Sequence, residues 1–91
     1  MTYEIRITTK CKKDIKLASK QGKNINLLFE IVYKLSEGIA LEPKYKDHKL
    51  SGKYEGMREC HIDPDFLLVY GINDKELVLY LLRVGSHSSI F

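Results

Sequence analysis

Little in this 91-residue chain points toward a membrane or a disulfide scaffold. Its longest purely apolar run, Leu77 to Leu82, falls far short of the roughly 20 residues that span a bilayer. The opening MTYEIRITTK lacks the apolar core of a secretory signal. There are only two cysteines, Cys11 and Cys60, far apart and without metal or redox spacing, so they read as buried free thiols in a reducing compartment. Internal repeats and low-complexity segments are missing as well. These absences leave the expectation of a soluble cytoplasmic protein with no membrane partner. Net charge is also low, +3 from 15 basic and 12 acidic residues, too small an excess to imply a nucleic-acid partner by itself.

What is present fits one small domain, residues 1–91, with 44% hydrophobic and 30% charged residues. A chain of this size buries roughly 60–70% of its unfolded surface, enough for one core. The placement of charge says more than its sum. Lys10, Lys12, Lys13, Lys16, Lys20 and Lys23 crowd one early segment, and Lys44, Lys46, Lys49 and Lys53 crowd another.

Along the chain, YEIRIT (3–8) alternates apolar and polar residues as a half-buried strand does. Thr8 or Thr9 can cap a helix running to about Gln21, which places Lys12, Lys16 and Lys20 four apart on its outer face. Asn24 can cap a second helix with Ile25, Leu28, Ile31, Val32 and Leu35 inside, ending at Gly38. Residues 39–53 have no sustained period and read as a long ordered loop, a class that tends to be functional. Strands are expected at about 54–62, 66–72 and 76–84, with Asn73-Asp74-Lys75 turning between the last two. Both of these are apolar at nearly every position, as central strands covered on two sides would be. SHSSIF forms a short tail. The fold class that follows is α+β: an N-terminal strand and a two-helix hairpin packed on an antiparallel sheet of four to five strands.

The chemistry-bearing residues gather in the second half. His48, His61 and His87 each fall where an element ends, so adjacent strands can bring them to one rim. Arg83 interrupts the apolar run LVLYLLRVG, either as an edge salt bridge to Glu59 or Asp65, or as a guanidinium aimed at a phosphate. Histidines, a cation and a terminal aromatic, Phe91, suit metal-independent RNA cleavage. That reaction uses a ribose 2′-hydroxyl as nucleophile and needs a base, an acid and positive charge around the phosphate. Imidazole, with an ordinary pKa near 6.5, serves either proton-transfer role near neutral pH. Arg and Lys stabilise the phosphate charge, and an aromatic can stack a base. A metal site built from His61, Asp63 and Asp65 is the weaker reading. Cys60 and His61 alternate to opposite faces, and Asp63-Pro64-Asp65 is ordinary turn chemistry. No metal and no cofactor are therefore expected. By the same parity Arg58 faces away from His61, as a structural or phosphate-contacting residue.

The segments KYKDHKLSGKYEGMRECHIDPDFLLVY and LLRVGSHSSIF, in the order helix pair, loop, sheet, resemble the YafQ branch of the RelE/ParE toxin superfamily of bacterial type II toxin–antitoxin systems. The resemblance covers most of the chain and is most specific in KDH, RECHIDPD and R-x-G-[ST]-H near a C-terminal Phe. It implies a ribosome-dependent endoribonuclease that cuts mRNA in the ribosomal A site and is neutralised by a cognate antitoxin. It carries catalytic roles to His48, His61, Asp65, His87 and Phe91, and a functional arginine to Arg83. His87 is the first choice for the acid, His61 or a His61–Asp65 pair for the base or orienting group, and His48 for base or phosphate binder. Lys44, Lys46, Lys49, Lys53 and Arg58, with Lys12, Lys16 and Lys20 of the first helix, are the expected RNA and ribosomal RNA contacts. Lys49 stands where relatives often have Pro, and Phe66 where an aromatic such as Trp is found. The free toxin is expected to be monomeric. Two other readings compete: a non-catalytic module of the same fold, such as a gyrase inhibitor or degenerate toxin, and a plain RNA-binding protein.

Overall fold

The computed structural model describes residues 2–91, and the architecture follows from two local rules, helix capping and strand alternation. The Thr8 hydroxyl accepts a hydrogen bond from the Cys11 amide at 3.0 Å and donates one to the Leu82 carbonyl at 2.9 Å. It thereby starts helix α1 (Thr9–Lys20) and ties it to the sheet. Gly22, at φ +76°, supplies the left-handed step that closes α1. The Asn24 side chain then accepts from the Leu27 amide and starts α2 (Ile25–Ser36). Leu28, Ile31, Val32 and Leu35 of α2 recur at helical spacing and are all buried.

The sheet holds β1 (Glu4–Ile7), β2 (His48–Lys49), β3 (Arg58–Asp63), β4 (Phe66–Asn73) and β5 (Val78–Gly85) in the order β1-β5-β4-β3-β2. It is mixed rather than wholly antiparallel, because β1 runs parallel to β5. The alternation of YEIRIT marks a strand but carries no direction. Direction is set by the helix pair, which starts from the end of the sheet where Thr8 meets Leu81 and Leu82. The other strands pair antiparallel.

Two layers cover the sheet. One face carries the main core of α1 and α2 residues with Cys60, Ile62, Phe66, Leu68, Tyr70, Leu79, Leu81 and Val84. The other carries Leu67 and Val69 under Ile90, flanked by Leu50, Tyr54, Met57 and Leu82. The near-continuous apolar sequence of β4 follows from this, since Phe66 to Tyr70 is buried on both faces.

The expected loop 39–53 is built of short ordered pieces. These are a 3-10 turn at Pro43–Tyr45, the two residues of β2, and a second 3-10 turn at Gly52–Tyr54. That second turn is why β3 begins at Arg58 rather than near 54. The SHSSIF tail forms one helical turn, α3 (His87–Ile90), whose Ser86 hydroxyl accepts from the Ser89 amide. Ile90 plugs this turn onto the second face and leaves Phe91 46% exposed. No helix among the described residues is long and apolar enough to cross a membrane.

Candidate active site

The site lies at the end of the sheet where β3 stops and β5 gives way to α3. Register brings its parts level: His48 is opposite Glu59, His61 is opposite Leu67, and Leu67 is opposite Gly85, two residues before His87. At about 4.8 Å between strands, the backbones of His61 and Gly85 stand roughly 10 Å apart. Residues paired across antiparallel strands point to the same side. Glu59 and His61 therefore share the face of Val69 and Leu67, the one covered by α3.

Glu59 joins the two histidines. Its Oε1 lies 3.2 Å from His61 Nε2 and 3.6 Å from His48 Nε2, and its side chain is only 6% exposed. A buried carboxylate requires polar partners, and the two imidazoles are those partners. His48 is fixed from its other side, since Nδ1 lies 2.6 Å from the Lys46 carbonyl oxygen and donates to it. Lys46 can present that carbonyl because it adopts a left-handed conformation at φ 48° after the first 3-10 turn. The two rings are 6.2 Å apart at 45°. His61 thus turns its Nε2 edge toward Glu59, and no hydrogen-bond partner of its Nδ1 is found among the described residues.

The second wall is aromatic. The His87 and Phe91 rings lie 4.9 Å apart at 31°, and Tyr54 meets Phe91 edge-on at 5.4 Å and 85°. Such edge-to-face contacts fix ring orientation. The Lys53 ammonium lies 5.4 Å from the Tyr54 ring centre and adds positive charge there.

Arg83 pairs with neither Glu59 nor Asp65. Its Nε donates to Asp14 Oδ2 at 2.7 Å and one terminal nitrogen donates to Oδ1 at 3.2 Å, while the Val84 amide also donates to Asp14 at 3.1 Å. Both side chains are nearly buried. Asp14 raises the pKa of Arg83 further, burial opposes this, and Tyr54 adds to the rise. Arg83 thus links α1 to the wall that carries Phe91. Asp65 is likewise not the partner of His61. Its carboxylate meets Lys23 at 3.4 Å on the surface, and its amide donates to Asp63, closing the Asp63-Pro64-Asp65 turn. Asp65 borders the groove that Arg83, Ser86 and Ser89 also line. The three side chains of the weaker metal reading therefore point to three different partners.

Arg58 sits on the helix-covered side, where Asp47 accepts from its Nε at 3.2 Å and from the Tyr70 hydroxyl at 2.5 Å. Burial opposes the Arg58 charge, and the bonds to Tyr70 and Asp47 outweigh it. Burial also pushes the Tyr70 hydroxyl up, with Asp47 adding to the effect. Lys44, Lys46, Lys49 and Lys53 are all exposed around the site, and Lys12, Lys16 and Lys20 are exposed on α1. Cys11 and Cys60 are buried free thiols, each pushed up to about 12 chiefly by burial. Sequence reasoning left Glu59 and Tyr54 out of the site. A signal for Glu59 existed, since it alternates with His61 on one strand face.

The fold is that of a small α+β domain of the RelE-like class, and the candidate site adds clustered histidines and a C-terminal aromatic. Residues 3–91 match the family described as bacterial toxin of type II toxin–antitoxin system, YafQ. The chain belongs to the YafQ toxin family. The mRNA interferase toxin YafQ of Escherichia coli K12 is 35% identical over 89 residues, covering 97% of this chain and 95% of the relative. A crystal structure of a metal-bound toxin from Helicobacter pylori has a TM-score of 0.93 at 44% identity, covering 99% of this chain and 100% of the other. The YafQ of the E. coli DinJ–YafQ toxin–antitoxin complex has a TM-score of 0.89 at 34% identity, covering 100% of this chain and 99% of that one.

Proposed function

We propose that this chain is a cytoplasmic endoribonuclease toxin that cuts mRNA in the ribosomal A site without a metal, and that a cognate antitoxin silences it. Support for the activity class comes from its curated relatives, named mRNA interferase toxins, and for the antitoxin from the E. coli DinJ–YafQ complex. The observation that carries the mechanism is the His48–Glu59–His61 cluster on β2 and β3, with the His87–Phe91 pair following the end of β5 that register places two strands away.

His61 is the base. Its Nδ1 takes the proton of the ribose 2′-hydroxyl, and the 2′-oxygen forms a bond to the adjacent phosphorus. Glu59 holds the ring in the required tautomer and balances the imidazolium as it forms, as a buried carboxylate does for a catalytic histidine elsewhere. The bond from phosphorus to the 5′-oxygen breaks, and His87 gives that oxygen a proton. The products are a 2′,3′-cyclic phosphate and a 5′-hydroxyl, with no redox change and no co-reactant. His48, held by the Lys46 carbonyl and exposed beside Glu59, binds the phosphate oxygens by donating from its ring. Arg83, partly committed to Asp14, adds field from the far wall. Phe91 stacks the base displaced from the cut, and Asp65 braces the turn that ends β3. The exposed lysines of residues 44–53 and of α1 contact mRNA and ribosomal RNA. The histidine cluster weighs against a gyrase inhibitor or a plain RNA-binding module, neither of which has use for paired proton-transfer groups.

The test is primer extension on programmed ribosomes with purified protein in EDTA, keeping free magnesium sufficient for ribosome integrity. Cuts confined to the A-site codon and lost in His87→Ala are the expected result. RNA binding without cuts would overturn the reading.

A further inference from the structure

A pocket opens beyond the edge of β3 that β2 leaves unpaired, and the roles above leave its apolar walls and Asp63 unused. Because β2 pairs only with Arg58 and Glu59, the edge of β3 from Cys60 to Asp63 is not covered by it. Leu27 of α2 and the Lys44–Lys46 turn face that edge across a space of about 430 Å³. This volume lies inside the ~300–1,000 Å³ range of small-ligand sites. Leu27, Tyr45, Ile62 and Pro64 give it apolar walls, Asp63 gives it an acceptor, and His61 belongs to both the pocket and the histidine cluster.

We propose that this pocket is a nucleobase subsite of the substrate RNA, taking the nucleoside that flanks the scissile phosphate on the side away from Phe91. The inference rests on the ribonuclease reading and extends it. A phosphate at His61 and His87 leaves one flanking base beside Phe91, and His61, which also lines the pocket, lets the other turn over the edge of β3. There the walls match the two characters of a nucleotide. The apolar side chains receive the flat base, and Lys44 and Lys46, both exposed at the turn, match the charge of the following phosphate. Tyr45 is only 8% exposed, with the Lys44 ammonium 5.2 Å from its ring centre, so it forms a wall and not a stacking platform. Discrimination between bases then comes from the shape of the pocket and from Asp63.

The test has two arms. In the first, methyl NMR follows wild-type protein titrated with each of the four nucleoside 3′-monophosphates. The expected result is saturable shifts at Leu27 and Ile62 that differ between bases. Shifts confined to residues around His87 and Phe91 would overturn the proposal, whatever the cleavage data say. In the second, cut sites are sequenced on ribosomes programmed with randomised codons, for wild type and Leu27→Phe. Narrowing an apolar pocket changes discrimination by about tenfold. Base preference should therefore flatten by that factor at one of the two nucleotides flanking the cut. Unchanged preference in a folded Leu27→Phe protein, or equal changes on both sides, would overturn the subsite while leaving the ribonuclease reading intact. Wild-type protein that makes no cuts would instead sink the reading beneath it.

Discussion

Glu59→Gln isolates the carboxylate on which the histidine cluster depends. The substitution keeps the shape of a side chain only 6% exposed, while removing its charge. It also lets the amide donate to His61 Nε2, which moves the ring proton to Nδ1 and occupies the nitrogen assigned to the base. A hydrogen bond to a charged group contributes about 1.5–3 kcal/mol. The His61 side chain is 28% exposed, so the lower half of that range applies, about 1.5–2 kcal/mol. At about 1.4 kcal/mol per decade, kcat should fall about 10- to 30-fold. KM should hardly change, since Glu59 itself faces histidines and not the substrate. Single-turnover cleavage on programmed ribosomes, at saturating and limiting enzyme, separates the two constants. Thermal stability should change little, because the histidines that lose the carboxylate are partly exposed, at 49% and 28%, and the glutamine amide keeps a hydrogen-bonding group in its place. A Glu59→Gln protein with kcat within about twofold of wild type would refute the tautomer argument. A fall in kcat matched by a large fall in Tm would make Glu59 structural.

Other perturbations read separate parts of the structure. Asp14→Ala strands the nearly buried Arg83 guanidinium; complete burial would cost 3–5 kcal/mol. About 2–3 kcal/mol is expected here, a Tm drop of roughly 8–20 °C for a domain of this size, and calorimetry showing less than a few degrees would contradict the pairing. Tyr54→Phe keeps the edge-on contact with Phe91, whereas Tyr54→Ala loses a contact worth about 0.5–1.5 kcal/mol. Cleavage should therefore fall about two- to tenfold for Ala and stay near wild type for Phe. Cys11 and Cys60 sit at about 12 in the fold against 9.0 as the ordinary value. Above pH 9 the unfolded chain loses thiol protons that the folded chain keeps. Stability is accordingly intact below pH 9 and declines from there toward 12. Urea midpoints at pH 7.5, 9 and 10.5 should fall mainly over the last interval, and a Cys11→Ala, Cys60→Ala protein should show a shallower fall.

Much of the scaffold was legible because it rests on local rules. Thr8, Asn24 and Gly22 mark the helix ends by their own side-chain and backbone chemistry, and the apolar runs of β4 and β5 announce burial on two faces. What stayed hidden depends on register and on packing between distant segments. β2 has only two residues, too few for any period, yet its pairing puts His48 over Glu59 and makes that glutamate a hub. Parity puts Glu59 and His61 on one strand face, but it carries no information on whether Glu59 is closed to water there. Asp14 is one acid in a lysine-rich helix. It becomes the partner of Arg83 only because α1 docks beside β5. Tyr54 was obscured in the same way, inside a segment read as strand that instead turns as a 3-10 helix under Phe91. The direction of β1 was likewise set by the helix pair and not by its alternation.

The nucleophile itself can be removed from the substrate. Messenger RNA carrying a single 2′-deoxy nucleotide 5′ of the scissile phosphate should bind in the A site and resist cutting completely. The all-ribose control should yield an upstream fragment ending in a 2′,3′-cyclic phosphate. Cleavage of the 2′-deoxy message at the same bond, or a control fragment that carries a 3′-hydroxyl from the outset, would contradict attack by the 2′-oxygen and with it the roles given to His61, Glu59 and His87.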